Sequence, residues 1–196
     1  MSLYLVRHGR TAWNLAGKAQ GWTDEPLDEL GVSQAERLPK AFAGIHATRI
    51  VTSDLVRAIS TGLPLAKALA IVPEVDVRLR ERGFGDWEGA HFTDIGMRMR
   101  AAAGDGDPDL VRPPNGESYA DLWSRVAPVA AALTEGTVFV AHGGTLSCLL
   151  PMLLGGTLSI RHAFSFANAG VTELRVLPDG RWRLARFDVT AHLEGL

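Results

Sequence analysis

Ser2-Leu3-Tyr4-Leu5-Val6-Arg7-His8-Gly9-Arg10-Thr11 opens the chain with an apolar run that stops abruptly at a cation, an imidazole and a glycine. A strand solvated on one face alternates apolar and polar residues, whereas a strand covered on both faces is apolar nearly throughout. Leu3 to Val6 has the second character and predicts a central strand with helices on both sides. Thr137-Val138-Phe139-Val140-Ala141 reads the same way and ends in His142-Gly143-Gly144-Thr145. Two covered strands, each ending in histidine and glycine, set the fold class and mark where chemistry should be sought.

Between and around them the pattern alternates. Asp28 is placed to cap a helix from Glu29 to about Ala43, with Leu30, Ala35, Leu38 and Phe42 on one face. Arg49-Ile50-Val51-Thr52 is a short strand ending in Ser53-Asp54. The spacing of Leu55, Ala58, Ile59, Gly62 and Leu65 then predicts a helix from Asp54 to about Leu69. A brief strand is expected over 71–77. Residues 103–116 collect Gly, Asp and Pro and read as an exposed loop. Ser118 should cap a helix to about Thr134 through Leu122, Val126, Val129 and Leu133. A helix follows His142 to about Leu154, and two strands over 170–177 and 181–187 are joined by a Pro178-Asp179-Gly180 turn. Pro39, Pro64 and Pro151 fall inside helices and predict a kink or restart at each. Strands alternating with helices imply parallel pairing and right-handed crossovers. The expected fold is α/β: a three-layer α/β/α sandwich on a mostly parallel sheet. One domain over 1–196 is expected, with a flap or lid around 89–116.

The 196 residues are 46% hydrophobic and 21% charged, with a formal net charge of −2. That composition is globular and offers no general attraction to nucleic acid or an anionic membrane. The single cysteine, Cys148, allows neither an internal disulfide nor a cysteine-based zinc site. No histidine pair has HxH or HxxxH spacing, so no metal is expected. The N-terminus lacks the pattern of a secretion signal and no apolar run matches a bilayer, so a cytoplasmic location is expected.

In open parallel sheets ligands bind at the carboxyl ends of the strands. Three strands here end in reactive groups: Arg7-His8-Gly9, Ser53-Asp54 with Arg57 one turn on, and His142-Gly143-Gly144. If the strands are neighbours, two histidines and two arginines converge. Glycine after each histidine would let backbone approach a ligand, and the helix after Gly143-Gly144 would aim free N–H groups at the same point. Arginine's planar fork matches two phosphate oxygens at once. Such a pocket suits a phosphoryl group.

These motifs together resemble the histidine phosphatase superfamily, also called the phosphoglycerate mutase-like family, over nearly the whole chain. Leu5-Val6-Arg7-His8-Gly9 with Thr11 and Asn14 is similar to its signature strand and nucleophile loop. Gln20-Gly21-Trp22-Thr23-Asp24 with Pro26-Leu27, Gly31 and Gln34-Ala35 looks like the next block. Ser53-Asp54-Leu55 with Arg57-Ala58 and Thr61 looks like the second arginine motif. Leu79-Arg80-Glu81, Gly85 and Trp87-Glu88-Gly89 look like the proton-donor segment, and Ala141-His142-Gly143-Gly144 like the second-histidine motif. One position departs: Arg10 stands where the family commonly has Glu or Gln. It is either an added cation at the pocket or a solvent-facing side chain.

The resemblance implies His8 as nucleophile, Arg7 and Arg57 as phosphate clamps, His142 as a third clamp that is cationic when phosphate is bound, and Glu81 as general acid. Asp86 and Glu88 are nearby alternatives for the acid. A proton-donating Glu81 would suit a carboxyl shielded under Phe84 and Trp87. Asn14, Gln20, Gly21, Gly143 and Gly144 match positions that contact phosphate or substrate, and no cofactor is implied. The implied activity is metal-independent hydrolysis of a small-molecule phosphate ester, such as α-ribazole phosphate, a sugar phosphate or a nucleotide. The alternatives are mutase-type phosphoryl transfer and a catalytically inactive phosphate-binding module. Family mutases carry extra chain before the second histidine and after the last strand, and this chain is compact in both places, which favours hydrolysis. A homodimer is one possible assembly; neither nucleic acid nor membrane is an expected partner.

Overall fold

The computed structural model describes residues 2–132 and 134–196. Its strands are β1 (Ser2–Arg7), β2 (Arg49–Thr52), β3 (Glu74–Val75), β4 (Thr137–Ala141), β5 (Val171–Val176) and β6 (Trp182–Val189). Its α-helices are α1 (Ala12–Leu15), α2 (Glu29–Ala41), α3 (Val56–Leu69), α4 (Phe92–Ala103), α5 (Tyr119–Ala131) and α6 (Gly143–Leu153). The strands form one sheet in the order β3-β2-β4-β1-β5-β6. β3, β2, β4 and β1 pair in parallel, and β5 and β6 extend the sheet antiparallel.

The expected two-sided burial is borne out. Leu3 and Leu5 of β1, with Phe139 of β4, pack on one face against Val129 of α5 and Leu146, Leu149 and Leu150 of α6. Tyr4, Val6, Val138 and Val140 point to the other face and pack against Leu38, Ala58 and Leu65 of α2 and α3. Successive strand side chains alternate faces, so an all-apolar strand must be sandwiched. The result is a three-layer α/β/α architecture, as expected.

Several local expectations need correction. The sequence places a strand over 71–77, but β3 keeps only Glu74 and Val75, since Asp76 caps a 3-10 turn over Val77–Leu79. The helix after β2 begins at Val56, not Asp54. Its first N–H group, on Val56, donates to Asp24 Oδ1 at 2.7 Å, while Asp54 pairs with Arg80 at 2.5 Å. Pro39, Pro64 and Pro151 do not restart their helices; α2, α3 and α6 each run through as one element. Leu133 lies outside the described residues. The 103–116 stretch is not uniformly exposed, because a 3-10 turn over Pro108–Leu110 buries Asp109. α4, which precedes it, sends Ile95 and Met99 into a small cluster with Ala19 and Phe84. Among the described residues no helix is long and apolar enough to cross a membrane.

Gly9 was expected to clear space for a ligand, and the structure gives a different reason. A Cβ there would stand 2.6 Å from the Gly31 carbonyl oxygen, and one on Gly31 only 1.9 Å from the Arg10 carbonyl oxygen. The loop after β1 and the first turn of α2 touch backbone to backbone. Gly31→Ala should therefore destabilise the protein by about 1–3 kcal/mol, as forced overpacking does. The measurement is the urea midpoint at unchanged m-value, and an unmoved midpoint would contradict the close approach.

Candidate active site

The neighbouring strands β2, β4 and β1 end on the same edge, which brings Ser53-Asp54, His142 and Arg7-His8 together as the strand polarity requires. The His8 and His142 rings lie 5.1 Å apart, centroid to centroid. Both are buried.

Their tautomers can be assigned from their partners. His8 Nδ1 lies 2.7 Å from the Gly9 carbonyl oxygen, which can only accept, so Nδ1 carries the proton. The Nε2 lone pair of His8 is thereby left for chemistry. His142 is the converse. Arg57 Nε donates to His142 Nδ1 at 3.2 Å, so Nδ1 is unprotonated and the N–H of the neutral ring is at Nε2. That Nε2 is buried without a partner among the described residues, as is Arg7 Nε. In this geometry the ring is a neutral donor, and the cationic form is the one expected once phosphate is bound.

Burial dominates in holding both imidazoles well below the usual histidine range. The Arg7 and Arg57 charges push His8 further down, and Arg57 does so most strongly for His142.

Arg57 has no solvent exposure. Besides His142 it donates from Nη1 to the Thr23 carbonyl at 2.8 Å and from Nη2 to the Gly21 carbonyl at 2.7 Å. Arg7 Nη1 donates to the Phe166 carbonyl at 2.5 Å. Gly9 N–H donates to Thr61 Oγ1, whose hydroxyl donates to the Arg57 carbonyl, so one α3 threonine joins the His8 loop to the arginine.

Glu81 sits at the N-terminus of α6. Its Oε2 accepts from Gly144 N–H at 3.1 Å, and its Oε1 from Thr145 N–H at 3.2 Å and Arg82 N–H at 2.8 Å. A Cβ on Gly144 would fall 2.4 Å from Glu81 Oε1, so glycine is needed there for the carboxylate. The expected shielding under two aromatic rings is half right. Phe84 lines the same cavity as Glu81, but Trp87 packs into the cluster with Ala19 and Ile95. The rival acids are otherwise engaged. Glu88 accepts from Trp22, Thr23 and Phe84 N–H groups and from the Thr23 hydroxyl, and Asp86 accepts from Asn115 Nδ2 at 3.0 Å.

A cavity of about 280 Å³ reaches Arg7, Glu81, Gly143 and Gly144. Its lining includes neither Asn14 and Gln20 nor His8, Arg57 and His142, so it adjoins the histidine pair and does not sort the candidate residues. Asn14 Oδ1 accepts from the backbone and hydroxyl of Thr11, closing the cap of α1. Gln20 is buried with Oε1 unpartnered. Gly21, at φ +53°, supplies its carbonyl to Arg57 rather than a free surface. Arg10 does not line the cavity: its side chain is 30% exposed, and its Nε donates to Asp28 Oδ2 at 2.7 Å.

Two supports were not legible as motifs. Arg125 of α5 donates to the carbonyls of Arg78, Arg80 and Glu81 while its fork holds Glu117, which fixes the segment bearing Glu81. Asn168 Nδ2 donates to the His8 carbonyl at 3.0 Å. An arginine on a helix facing an acid eight residues back was the only available hint of the first.

The model of the histidine phosphatase superfamily (branch 1) matches residues 3–190. A Proteus mirabilis protein named probable phosphoglycerate mutase GpmB is 36% identical over 89% of this chain and 84% of its own. A mycobacterial glucosyl-3-phosphoglycerate phosphatase, solved with VO3, is 32% identical over 96% of this chain and 99% of that one, with a TM-score of 0.84. A phosphoserine phosphatase from Entamoeba histolytica, solved with 3-phosphoglyceric acid, is 28% identical over 98% of both chains, with a TM-score of 0.81.

Histidines buried neutral must charge when the chain unfolds at low pH. With folded-state values below the unfolded value of about 6.5, the unfolded chain binds more protons, and stability is lost as pH falls through that value. Each histidine should cost about 1.4 kcal/mol between pH 7.5 and 5.5. His142→Gln should lose that much less than wild type over the same interval in urea melts. Equal losses would mean His142 is not buried neutral.

Proposed function

This chain belongs to the histidine phosphatase superfamily, branch 1, and from that premise we propose that it is a metal-independent phosphomonoesterase acting on a small metabolite through a phosphohistidine. One observation carries the reading. His8 keeps its Nε2 lone pair, its ring lies 5.1 Å from that of His142, and His142 Nε2 and Arg7 Nε are buried donors with no partner among the described residues. Buried donors left unpaired cost about 1–3 kcal/mol each, and an anion's oxygens satisfy them.

In the first step His8 Nε2 attacks phosphorus, the P–N bond forms and the ester P–O bond breaks. Neutrality is what makes the imidazole a nucleophile, and burial with two flanking arginines maintains it. Arg7 Nε and His142 Nε2 donate to the equatorial oxygens, where charge accumulates. Arg57 is held by two carbonyls and His142, so it acts through position and field. Glu81 gives a proton to the departing alkoxide. In the second step it takes one from water, whose oxygen attacks phosphorus as the P–N bond breaks and His8 is regenerated.

Hydrolysis is supported by the two solved relatives named as phosphatases. Transfer between hydroxyls of one substrate is the second reading, favoured by the mutase name of the Proteus mirabilis relative.

With p-nitrophenyl phosphate in excess EDTA, wild type should turn over and His8→Ala should not. No turnover by wild type would favour transfer or a binding module instead. Glu81→Gln should lose about 10²–10⁴ in rate on alkyl phosphates. The loss should be much smaller on the nitrophenyl ester, whose leaving group needs no proton. Equal losses would remove Glu81 from the acid role.

A further inference from the structure

One buried ion pair beside the cavity has no part in this chemistry. Arg161, in the 3-10 helix Leu158–Ala163, lines the same 280 Å³ space as Arg7 and Glu81 and is 8% exposed. Its Nε donates to Asp109 Oδ2 at 2.6 Å, and its Nη2 donates to Asp109 Oδ1. His162 Nε2 lies 3.0 Å from the same Oδ2. Asp109 is 5% exposed and comes from the turn after α4, the segment expected to act as a lid. The Arg161 guanidinium also lies 3.3 Å from the centroid of the Tyr119 ring. Much of the rest of the wall is apolar: Phe84, Phe92 and Phe164.

The Nε/Nη2 edge of arginine is the edge that grips a carboxylate with two parallel bonds. Here the protein's own carboxylate already occupies it. We propose that Asp109 is a specificity-determining residue, which cancels Arg161 and so turns the pocket toward phosphate esters of uncharged alcohols and away from those that carry a carboxylate. The inference rests on the phosphomonoesterase reading and supplies its substrate class.

The physical argument is one of competition. A substrate carboxylate can reach the Arg161 fork only by displacing Asp109, which would strand a buried carboxylate with His162 alone. Without displacement, the incoming charge meets Asp109 and Glu81 beside an arginine whose Nε/Nη2 fork is already taken. Burial alone would raise the Asp109 carboxyl, but the bonds from Arg161 and His162 outweigh it and hold it below the usual range. The internal carboxylate is therefore present as an anion. An uncharged polyol meets no such conflict: its carbon skeleton covers the phenyl rings, and Ser147 and Ser165 line the cavity with hydroxyls.

Glycerol 3-phosphate and 3-phosphoglycerate share a three-carbon skeleton and differ in the carboxylate. Wild type should favour glycerol 3-phosphate at least tenfold in kcat/KM. Asp109→Asn keeps the shape and removes the charge, and should reduce that preference at least tenfold. Adding Arg161→Gln to Asp109→Asn should bring the preference back toward the wild-type ratio. A wild type that treats the two esters equally, or favours 3-phosphoglycerate, overturns the proposal, and so does a folded Asp109→Asn with an unchanged ratio. Calorimetric affinities for the same two esters read the same preference without turnover. Absence of hydrolysis of either ester would thus count against the phosphatase reading alone, and the affinity ratio would still decide the role of Asp109.

Discussion

The site depends on one guanidinium buried at the edge of the sheet. Arg57 is wholly removed from solvent, and a buried charge is tolerable only when its hydrogen bonds are met. It meets them with the carbonyls of Gly21 and Thr23 and with His142 Nδ1. These partners come from a loop before α2 and from the end of β4, while Arg57 itself opens α3. One side chain therefore locks three remote parts of the chain and fixes the tautomer of the second histidine. Its neighbours follow the same logic. Glu88 gathers the N–H groups of the loop whose carbonyls Arg57 uses, and Asp24 in that loop caps α3.

The two histidines look alike in sequence and are made different by their partners. His8 gives its Nδ1 proton to a carbonyl, and His142 receives one at Nδ1 from an arginine. Each ring therefore presents the opposite face chemically: a lone pair from one, an N–H from the other. Two identical side chains thus offer a lone pair at one Nε2 and an N–H at the other. Burial and two flanking cations hold both rings toward the neutral form, which the proposed nucleophile requires.

The layer architecture was legible because β1 and β4 are apolar on both faces, and only a sandwich buries both. The convergence of Arg7, His8, Arg57, His142 and Glu81 followed from strand polarity and motif. What misled was chemistry taken from neighbours in sequence. Asp54, at the end of β2, looked like the start of a helix, yet its charge goes to Arg80 and the cap comes from Asp24. Gly9 looked like room for a ligand and is room for Gly31. The segment 103–116 looked like an exposed loop by composition, although one of its aspartates is buried against a distant arginine.

The sequence by itself determined the sandwich, the edge of the sheet that carries the chemistry, and the kinds of group that meet there. Periodicity and strand polarity are local properties, so the chain order alone discloses them. Tertiary structure decided which nitrogen of each histidine holds its proton, which of three acids stands at the α6 N-terminus, and that Arg161 is already paired. Apart from His8, whose partner is the adjacent Gly9 carbonyl, each of these depends on a partner tens of residues away, such as Arg57 for His142, Gly144 for Glu81 and Asp109 for Arg161. Hydrogen bonds and ion pairs act across a few ångströms of space, and only the folded chain brings those few ångströms about.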